Sequence, residues 1–342
     1  MLEISKDRSA FIKGVAIMMM LIYHLFGNQM TELCTNLLHV GGEPLARWLS
    51  HASGPVPFFL IVSGYGLAYK YEHGQLRFKG QLGSVMRLYL HFWFVLLLFL
   101  PIGAYLHPNR YPESLHHIVL NALGWYTTYY HEMWFLFPYV CISLLSPYIL
   151  RLVKRIGLIW SLIIAAGLHL TTSFLLSSYS EPFIQQLQWP WVYKVILVFH
   201  IVFYFIVGVA FRRTALPLRW NVPQWLLLTC IAILIIVTAE TTTSIRYMIY
   251  APLLVFLLCQ VRYARWLERI ITELGRKSMT IWMIHPWLAI YLFQSQFYSL
   301  RYPLLIFLAV LVASYLLSIP VMWIAGKVSQ TLSARLLGNN PT

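Results

Sequence analysis

Charged side chains are scarce in this sequence. Asp, Glu, Lys and Arg together make up 11% of its 342 residues, against about 25% in an ordinary soluble domain. A soluble fold of this length needs more polar surface than the sequence provides. Hydrophobic residues reach 59%, and the mean hydropathy is +0.68. The deficit of charge therefore excludes a soluble globular protein and indicates one that is embedded in a membrane.

Acidic residues and cysteines are also few. The 11 Asp and Glu leave a net charge of +14, but the basic residues are dispersed between apolar runs, so we expect no nucleic-acid partner. The four cysteines have neither disulfide-like nor metal-ligand spacing, and we expect no metal site. They are Cys34, Cys141, Cys230 and Cys259. The lack of an Asn-x-Ser/Thr glycosylation acceptor favours a bacterial source.

Ten apolar runs are long enough, or nearly so, to cross a membrane, which takes about 20 residues. They cover residues 11–30, 54–71, 86–106, 132–150, 157–177, 195–211, 223–240, 245–260, 278–297 and 303–326. The seventh and eighth runs are the weakest, because they are short and only a few polar residues separate them. The sequence predicts an all-α, polytopic membrane protein, with residues 1–342 forming a single transmembrane domain.

Positive charge is distributed unevenly between the loops. When the loops are assigned alternately to two sides, starting at the N-terminus, 20 of the 25 Lys and Arg lie on the first side. The other side holds Arg47, Arg110, Lys194, Arg246 and Arg301. Lys and Arg accumulate in cytoplasmic loops. We therefore predict ten transmembrane helices with both termini cytoplasmic, in the cell membrane of a bacterium.

Two ionisable side chains in the first run are candidates for function. Lys13 and His24 are eleven residues apart, three helical turns plus roughly 20°, so they share a face and lie about 16 Å apart along the axis. An ionisable residue within a membrane span points to function. The alternative is that Lys13 anchors the helix at its cytoplasmic edge and His24 hydrogen-bonds a neighbouring helix. Both explanations stay open on these residues alone.

Small and basic residues mark the next two runs. Ser63, Gly64 and Gly66 lie near the inner end of the second run, where small residues favour close helix packing. Arg87 begins the third run and is placed to meet a cytoplasmic anion, since the guanidinium suits phosphate recognition. The alternative for Arg87 is another anchoring arginine.

Polar residues also occur at the fourth and ninth runs. Glu132 and Trp134 lie at the outer start of the fourth run, where Glu132 can equally be a residue of the membrane interface. Ser278 and His285 are seven residues apart in the ninth run and share a face. Pro286 removes one helical hydrogen bond. The carbonyl it frees suits a polar cavity beside His285, or an ordinary kink.

In their order along the chain, these motifs resemble those of the acyltransferase 3 family of membrane acyltransferases. The first helix of that family has a basic residue, ten intervening residues and a His, as Lys13 and His24 do here, with Lys13 in "KGVAI". Four later segments are similar to the family's Phe-rich Ser-Gly-Tyr, Arg-Leu-Tyr-Pro, Trp-Phe-Leu and Leu-Gly…Ser…His-Pro motifs. They read "PFFLIVSGYGLAY", "RLYLHFW", "MWFLFPYV" and "LGRKSMTIWMIHPW". Leu90 replaces the proline of the second of these.

The resemblance implies transfer of an acyl group, usually acetyl, from acyl-CoA to a hydroxyl of a cell-surface polysaccharide or its lipid-linked sugar precursor. Acyl-CoA is then a co-substrate, and no permanently bound cofactor is expected. The implied roles are catalysis by His24 and His285, donor binding by Lys13, Arg87, Ser63 and Ser278, and acceptor binding by Glu132 and Trp134. His24 would either remove the acceptor's proton or hold the acyl group briefly.

An exporter of an envelope polysaccharide or of a lipid-linked sugar is the alternative function. Ten helices, a deep His and an aromatic lining suit an exporter, although the sequence has no matching pair of interrupted helices in its two halves. The expected partners are the lipid bilayer, acyl-CoA and a glycan or lipid-linked sugar acceptor. The sequence leaves open whether the chain forms a homo-oligomer.

Overall fold

Helices make up almost all of the structure, a computed structural model that describes residues 4–178, 190–214, 222–241, 243 and 245–337. The α-helices are α1 (Lys6–Phe26), α2 (Leu45–Ser50), α3 (Val56–Glu72), α4 (Phe78–Leu106), α5 (Leu115–Ala122), α6 (Leu136–Ile156), α7 (Leu158–Ser178), α8 (Pro190–Arg213), α9 (Gln224–Glu240), α10 (Arg246–Gln260), α11 (Arg265–Pro286), α12 (Gln294–Tyr298) and α13 (Pro303–Leu337). Single helical turns cover Asn28–Leu33, His131–Phe135 and, in π-helical form, Trp287–Leu292. Strands His39–Val40 and Glu43–Pro44 pair antiparallel, with His39 opposite Pro44. The predicted all-α class is confirmed.

Each of the ten predicted runs overlaps one of the longer helices, but several ends differ. The first run was placed at 11–30, whereas α1 ends at Phe26. The third run was placed at 86–106, whereas α4 begins at Phe78. The ninth was placed at 278–297, whereas α11 begins at Arg265 and is followed after Pro286 by the π-helical turn and α12. Hydropathy locates the apolar centre of a helix, while backbone hydrogen bonding continues through its polar ends. The missed residues are those polar ends.

Within the part of the chain that the structure describes, six helices are long and apolar enough to cross a membrane. They are Lys6–Phe26, Phe78–Leu106, His131–Ile156, Leu158–Ser178, Trp191–Arg213 and Pro303–Thr331. The helices Gln224–Glu240 and Arg246–Gln260 are apolar but shorter, and they match the two weakest runs of the sequence. The chain is therefore a multi-pass membrane protein, and the full count of ten spans stays a prediction.

The outer faces of the peripheral helices are apolar. Ile159 and Phe174 on α7, with Leu304 and Trp323 on α13, are between 61% and 73% exposed. A soluble monomer rarely exposes apolar side chains in such extended patches. These faces can be exposed to the hydrocarbon of a bilayer without a cost in free energy, because lipid tails are themselves apolar.

Glycines bring two pairs of helices into close contact. A Cβ atom on Gly14 of α1, or on Gly275 of α11, would collide with a backbone carbonyl oxygen of the other helix. The same holds for Gly64 of α3 and Gly208 of α8. Small residues permit such approach of helix backbones within a membrane. The close packing expected at Gly64 is confirmed, and α1 with α11 forms the central pair of the bundle.

Contacts at one end of the bundle define the helix directions. Arg8, at the start of α1, lies 3.5 Å from Glu268 at the start of α11. The backbone N–H of Ile4 donates to the hydroxyl of Tyr65, in the second half of α3, at 3.0 Å. Thus α1 and α11 run parallel and α3 runs opposite to them. This arrangement agrees with the alternation of directions that the charge distribution predicts.

The loop between α4 and α6 packs on the residue that follows α11. The rings of Tyr111 and Tyr130 lie 5.6 and 4.8 Å from that of Trp287. The Tyr111 hydroxyl donates to the carbonyl oxygen of Tyr129 at 2.9 Å, and the Tyr129 hydroxyl donates to that of Pro112 at 2.8 Å. Burial raises the pKa of Tyr111 and of Tyr129 to about 12, so both phenols remain donors. The loop fixes the end of α11 nearest the candidate site.

Candidate active site

Two adjoining cavities lie beside the α1–α11 pair. The first, which we name the Lys13 cavity, has a volume of about 180 Å³. It is lined by Lys13, Met20, Phe59, Ser63, Leu88, Phe135, Tyr139, Ser278, Met279 and Trp282. Apart from the ammonium of Lys13 and the hydroxyls of two serines and one tyrosine, this lining is apolar.

The second cavity, which we name the His24 cavity, has a volume of about 300 Å³. It is lined by Met20, Tyr23, His24, Gly54, Pro55, Val56, Pro57, Glu132, Trp134, Phe135, His169, His200, Ile201, Tyr204, Arg246, Tyr247 and Trp282. Three imidazoles, a carboxylate and a guanidinium make it the more polar of the two.

Three side chains line both cavities and form the wall between them. They are Met20 of α1, Phe135 at the start of α6, and Trp282 of α11. The indole N–H of Trp282 donates to the carbonyl oxygen of Glu132 at 3.2 Å, which ties α11 to the chain just before α6. An extended group in one cavity must therefore pass these three side chains to reach the other.

The helical period places the polar residues of α1 at successive levels. Lys13 and His24 are eleven residues apart on one face of the helix. Met20 lies between them on the same face, seven residues after Lys13 and four before His24. The shared face predicted from the sequence is confirmed, since Lys13 lines one cavity, His24 lines the other, and Met20 lines both.

His24 and His285 form a hydrogen-bonded pair. His24 Nδ1 lies 2.8 Å from His285 Nε2, and the two rings are nearly parallel, at an angle of 10°. His285 is fully buried, while His24 is partly exposed to its cavity. The parallel course of α1 and α11 brings the two residues to the same level.

The hydrogen bonds of the pair determine which nitrogens bear protons. His285 Nδ1 lies 3.1 Å from the carbonyl oxygen of Ile281. A carbonyl oxygen can only accept, so in the neutral ring His285 Nδ1 is the donor and Nε2 is an acceptor. His24 must then donate from Nδ1, which leaves the lone pair of His24 Nε2 unused. The pair thus presents a basic nitrogen to the cavity.

A family model described as an acyltransferase domain matches residues 10–324, nearly the whole chain. The chain belongs to the acyltransferase 3 family. No curated protein and no solved structure matched it. The matched range contains both cavities and every residue that the sequence assigned to the site. The family resemblance read from the motifs is confirmed.

In this acyltransferase, Lys13 of α1 differs from two cations in the middle of α11. Arg276 lies 2.9 Å from Asp7, and Lys277 lies 2.9 Å from Glu273. The hydrogen bond from Lys277 lowers the pKa of Glu273. Lys13, by contrast, has no carboxylate within 4.0 Å among the described residues. Its ammonium faces a largely apolar cavity and is available to an anionic ligand.

Of the other three residues expected to bind the donor, two line the Lys13 cavity and one does not. Ser63 and Ser278 line the Lys13 cavity with Lys13 itself. Arg87 does not: it is exposed and donates to the hydroxyl of Ser84 at 3.2 Å. Its neighbour Leu88 lines the cavity instead. The structure brings the two serines to Lys13 and leaves Arg87 outside.

Both residues expected to contact the acceptor line the His24 cavity. Glu132 lies in the helical turn before α6 together with Trp134. One carboxylate oxygen of Glu132, Oε2, is buried and has no hydrogen-bond partner among the described residues. An unpaired buried oxygen is costly, so this atom is suited to accept a hydrogen bond from a ligand.

Sequence reasoning missed two histidines that line the same cavity. His169 of α7 and His200 of α8 are stacked, with ring centroids 4.4 Å apart. A signal for both was present, because each is an ionisable residue within an apolar run. Neither His169 nor His200 belongs to a recognisable motif, and a motif was the second feature that distinguished His24 and His285.

Proposed function

We propose that this acyltransferase moves an acyl group, preferably acetyl, from acyl-CoA in the Lys13 cavity to a hydroxyl of a cell-surface polysaccharide or lipid-linked sugar in the His24 cavity. The main support is that two cavities adjoin through one wall. The first has a cation with no carboxylate partner among the described residues, and the second has His24, which is paired with His285. A cation suits the phosphates of CoA, and a neutral imidazole suits a hydroxyl that must lose its proton.

The separation of Lys13 and His24 fits the shape of the donor. Eleven residues of helix correspond to about 16 Å, comparable to the length of the pantetheine arm of CoA. With its phosphates near Lys13, the arm would extend along α1 past Ser63 and Ser278. The thioester would then reach the wall formed by Met20, Phe135 and Trp282.

His24 acts as the general base in this proposal. Its Nε2 takes the proton of the acceptor hydroxyl as the oxygen attacks the thioester carbonyl carbon. A tetrahedral intermediate forms, and its carbon–sulfur bond then breaks. The departing CoA thiolate takes the proton from His24, so the products are an O-acyl ester and CoA. His285 holds His24 in the required tautomer and is a positioning residue.

A covalent acyl-His24 is the other use of the same lone pair. In that case Nε2 attacks the thioester, CoA leaves first, and the acceptor removes the acyl group in a second step. Rapid quenching with acetyl-CoA in the absence of acceptor distinguishes the two. An acetylated His24 in the quenched protein would favour the covalent route, and unmodified protein would favour direct transfer.

We further propose ten spans with both termini cytoplasmic, in the cell membrane of a bacterium, which gives the Lys13 cavity access to cytosolic acyl-CoA. The excess of Lys and Arg in the loops at the Lys13 end supports this orientation. Two exposed positions test it in a cysteine-free background: Gln75→Cys and Asn109→Cys. An impermeant thiol reagent applied to intact cells should label only Asn109→Cys. Labelling of Gln75→Cys would contradict the orientation.

Transfer by purified protein is the decisive test of function. Protein in proteoliposomes should acylate a glycan or lipid-linked sugar when given acetyl-CoA, and His24→Ala protein should not. The exporter alternative instead predicts that the glycan crosses the liposome membrane without CoA. Transport of that kind, with no acyl transfer to any acceptor, would replace the proposed function with export.

A further inference from the structure

The stacked histidines His169 and His200 form a second polar wall of the His24 cavity. They lie on α7 and α8, whereas His24 lies on α1. His169 is almost fully buried, and its Nδ1 lies 2.5 Å from the backbone carbonyl oxygen of His200. Since that oxygen can only accept, His169 donates from Nδ1, and its Nε2 faces the hydroxyl of Tyr204 at 3.5 Å. The ring of His169 is thereby fixed from both sides.

The protons on His200 follow from its contact with Thr172. The Thr172 hydroxyl has one proton, which it donates to the carbonyl oxygens of Leu168 and His169 at 2.7 and 3.0 Å. Its oxygen must therefore accept from His200 Nδ1, 3.3 Å away. His200 Nε2 is left with a lone pair. No described residue donates a hydrogen bond to that nitrogen.

The His24 cavity thus has three hydrogen-bond acceptors that lack a donor from the described residues. They are His24 Nε2, His200 Nε2 and Glu132 Oε2. Two donors of the lining are engaged elsewhere: one guanidinium nitrogen of Arg246 donates to the carbonyl oxygens of Thr238 and Thr241, and the Tyr247 hydroxyl donates to that of His51 at 2.8 Å. The other N–H groups of Arg246 remain donors at the cavity. Three such acceptors in one cavity suit a ligand with several O–H groups.

We propose that His200 is a specificity-determining residue that accepts a hydrogen bond from a second hydroxyl of the acceptor, so that the enzyme prefers a polyhydroxylated ring to a simple alcohol. This inference rests on the proposed function. One hydroxyl meets His24 and is acylated, while another is held by His200. The volume of about 300 Å³ is at the lower end of the range of about 300–1,000 Å³ for small-molecule sites. It suits one sugar ring, and Trp134 and Tyr23 offer it aromatic faces.

Two acceptors that differ in hydroxyl number test this role. The protein is placed in lipid nanodiscs with acetyl-CoA and either n-octyl β-glucoside, below its micellar concentration, or 1-octanol. His200→Ala should lower kcat/KM for the glucoside about tenfold, the loss expected for one hydrogen bond, mainly through KM. Transfer to 1-octanol, and hydrolysis of acetyl-CoA without acceptor, should stay unchanged, because neither needs a second hydroxyl.

Three further variants separate recognition from stability. Phe199→Ala alters the adjacent, exposed residue of α8 and should leave both acceptors unaffected. Thr172→Val removes the group that orients His200, and it should lower glucoside transfer by less than His200→Ala does. His200→Gln retains an acceptor oxygen and should recover part of the loss. An equal fall for glucoside and octanol, or an unchanged glucoside KM in His200→Ala, would overturn the assignment.

Binding in the absence of acetyl-CoA distinguishes this inference from the proposed function. Octyl glucoside should quench the fluorescence of Trp134 and Trp282, and His200→Ala should weaken that binding about tenfold. If the wild type binds the glucoside in this way but never acylates it, the proposed reaction fails while His200 keeps its recognition role. If His200→Ala binds as the wild type does, His200 has no such role.

Discussion

The two cavities share a wall but differ in their chemistry. The Lys13 cavity has one charged group and an otherwise mainly apolar lining. The His24 cavity is larger and combines three imidazoles, a carboxylate and a guanidinium. The first suits a ligand recognised at one anionic end, with a long and weakly polar arm. The second suits a compact ligand with hydroxyl groups on several sides.

This difference shows how one bundle can keep two substrates apart until they react. In the proposed reaction the donor and the acceptor occupy separate spaces, and only the acyl group must cross the wall of Met20, Phe135 and Trp282. Variants in the lining of the Lys13 cavity should therefore affect the donor, and variants in the lining of the His24 cavity should affect the acceptor. Variants of the catalytic pair should affect turnover whatever the substrate concentration.

The largest effect is expected at His24. A general base near neutral pH contributes about 10²–10⁴ in rate, so His24→Ala should lower turnover per folded molecule by that factor. The protein should remain folded, because a hydrogen bond between helices in a membrane averages about 0.6 kcal/mol. His73→Ala, at an exposed histidine that lines neither cavity, is the control. Turnover and thermal stability are measured together, and near-normal turnover in folded His24→Ala protein would remove His24 from this role.

His285→Ala should have the next largest effect. Without His285 the ring of His24 can rotate or exchange its tautomer, and misplacement of a reacting group by about 1 Å can cost about 10² in rate. The loss should appear in kcat and not in the KM of either substrate. The comparison with His24→Ala decides which of the two histidines is the base. If His285→Ala abolishes turnover and His24→Ala does not, His285 is the base.

Removal of the Lys13 charge should act on the donor. A hydrogen bond to a charged group contributes about 1.5–3 kcal/mol, so Lys13→Ala should raise the KM for acetyl-CoA roughly tenfold to a hundredfold. Lys13→Arg should retain most of the affinity, and the KM for the acceptor should hardly change.

Arg87→Ala provides the matched comparison for Lys13. Because Arg87 lies outside the cavity, its attraction for CoA would operate through solvent, and its effect should be smaller and should vanish at high salt. A donor KM that is unchanged in Lys13→Ala would reject the donor assignment of the whole Lys13 cavity.

The smallest effect is expected at the wall between the cavities. Met20→Ala should widen the passage and improve transfer of butyryl relative to acetyl about tenfold, since a methylene in an apolar pocket is worth roughly 10–200-fold. Met18→Ala, on the same helix but lining neither cavity, should leave the ratio unchanged. The ratio of kcat/KM for the two thioesters is the measurement. An equal change in both would show that Met20 acts on stability and not on passage.

The sequence predicted the central parts of the helices and most members of the site. Lys13, His24 and His285 were identified because they are ionisable residues in apolar runs and also belong to recognisable motifs. The contact of His24 with His285 was not predicted, since 261 positions separate them and only the packing of α1 on α11 brings them together. The glycines that permit this packing are visible in the sequence, but their partners are not.

Arg87 shows why a residue can be near a site in sequence and outside it in space. Successive residues of a helix point about 100° apart. With Leu88 directed into the Lys13 cavity, Arg87 points elsewhere. Spacing within a single helix gives relative directions only. The absolute direction depends on how α4 packs against its neighbours, which no local pattern specifies.

The carbonyl of Ile281 has a consequence for bioenergetics. A cell membrane maintains a proton gradient, and a chain of titratable groups through a membrane protein is a potential leak. Protons could pass from His24 to His285, but a backbone carbonyl cannot take a proton onward. In the proposed reaction, a proton removed by His24 therefore has no onward route through His285 and returns to the side of the His24 cavity. The histidine pair itself therefore offers no continuous path for protons along α11.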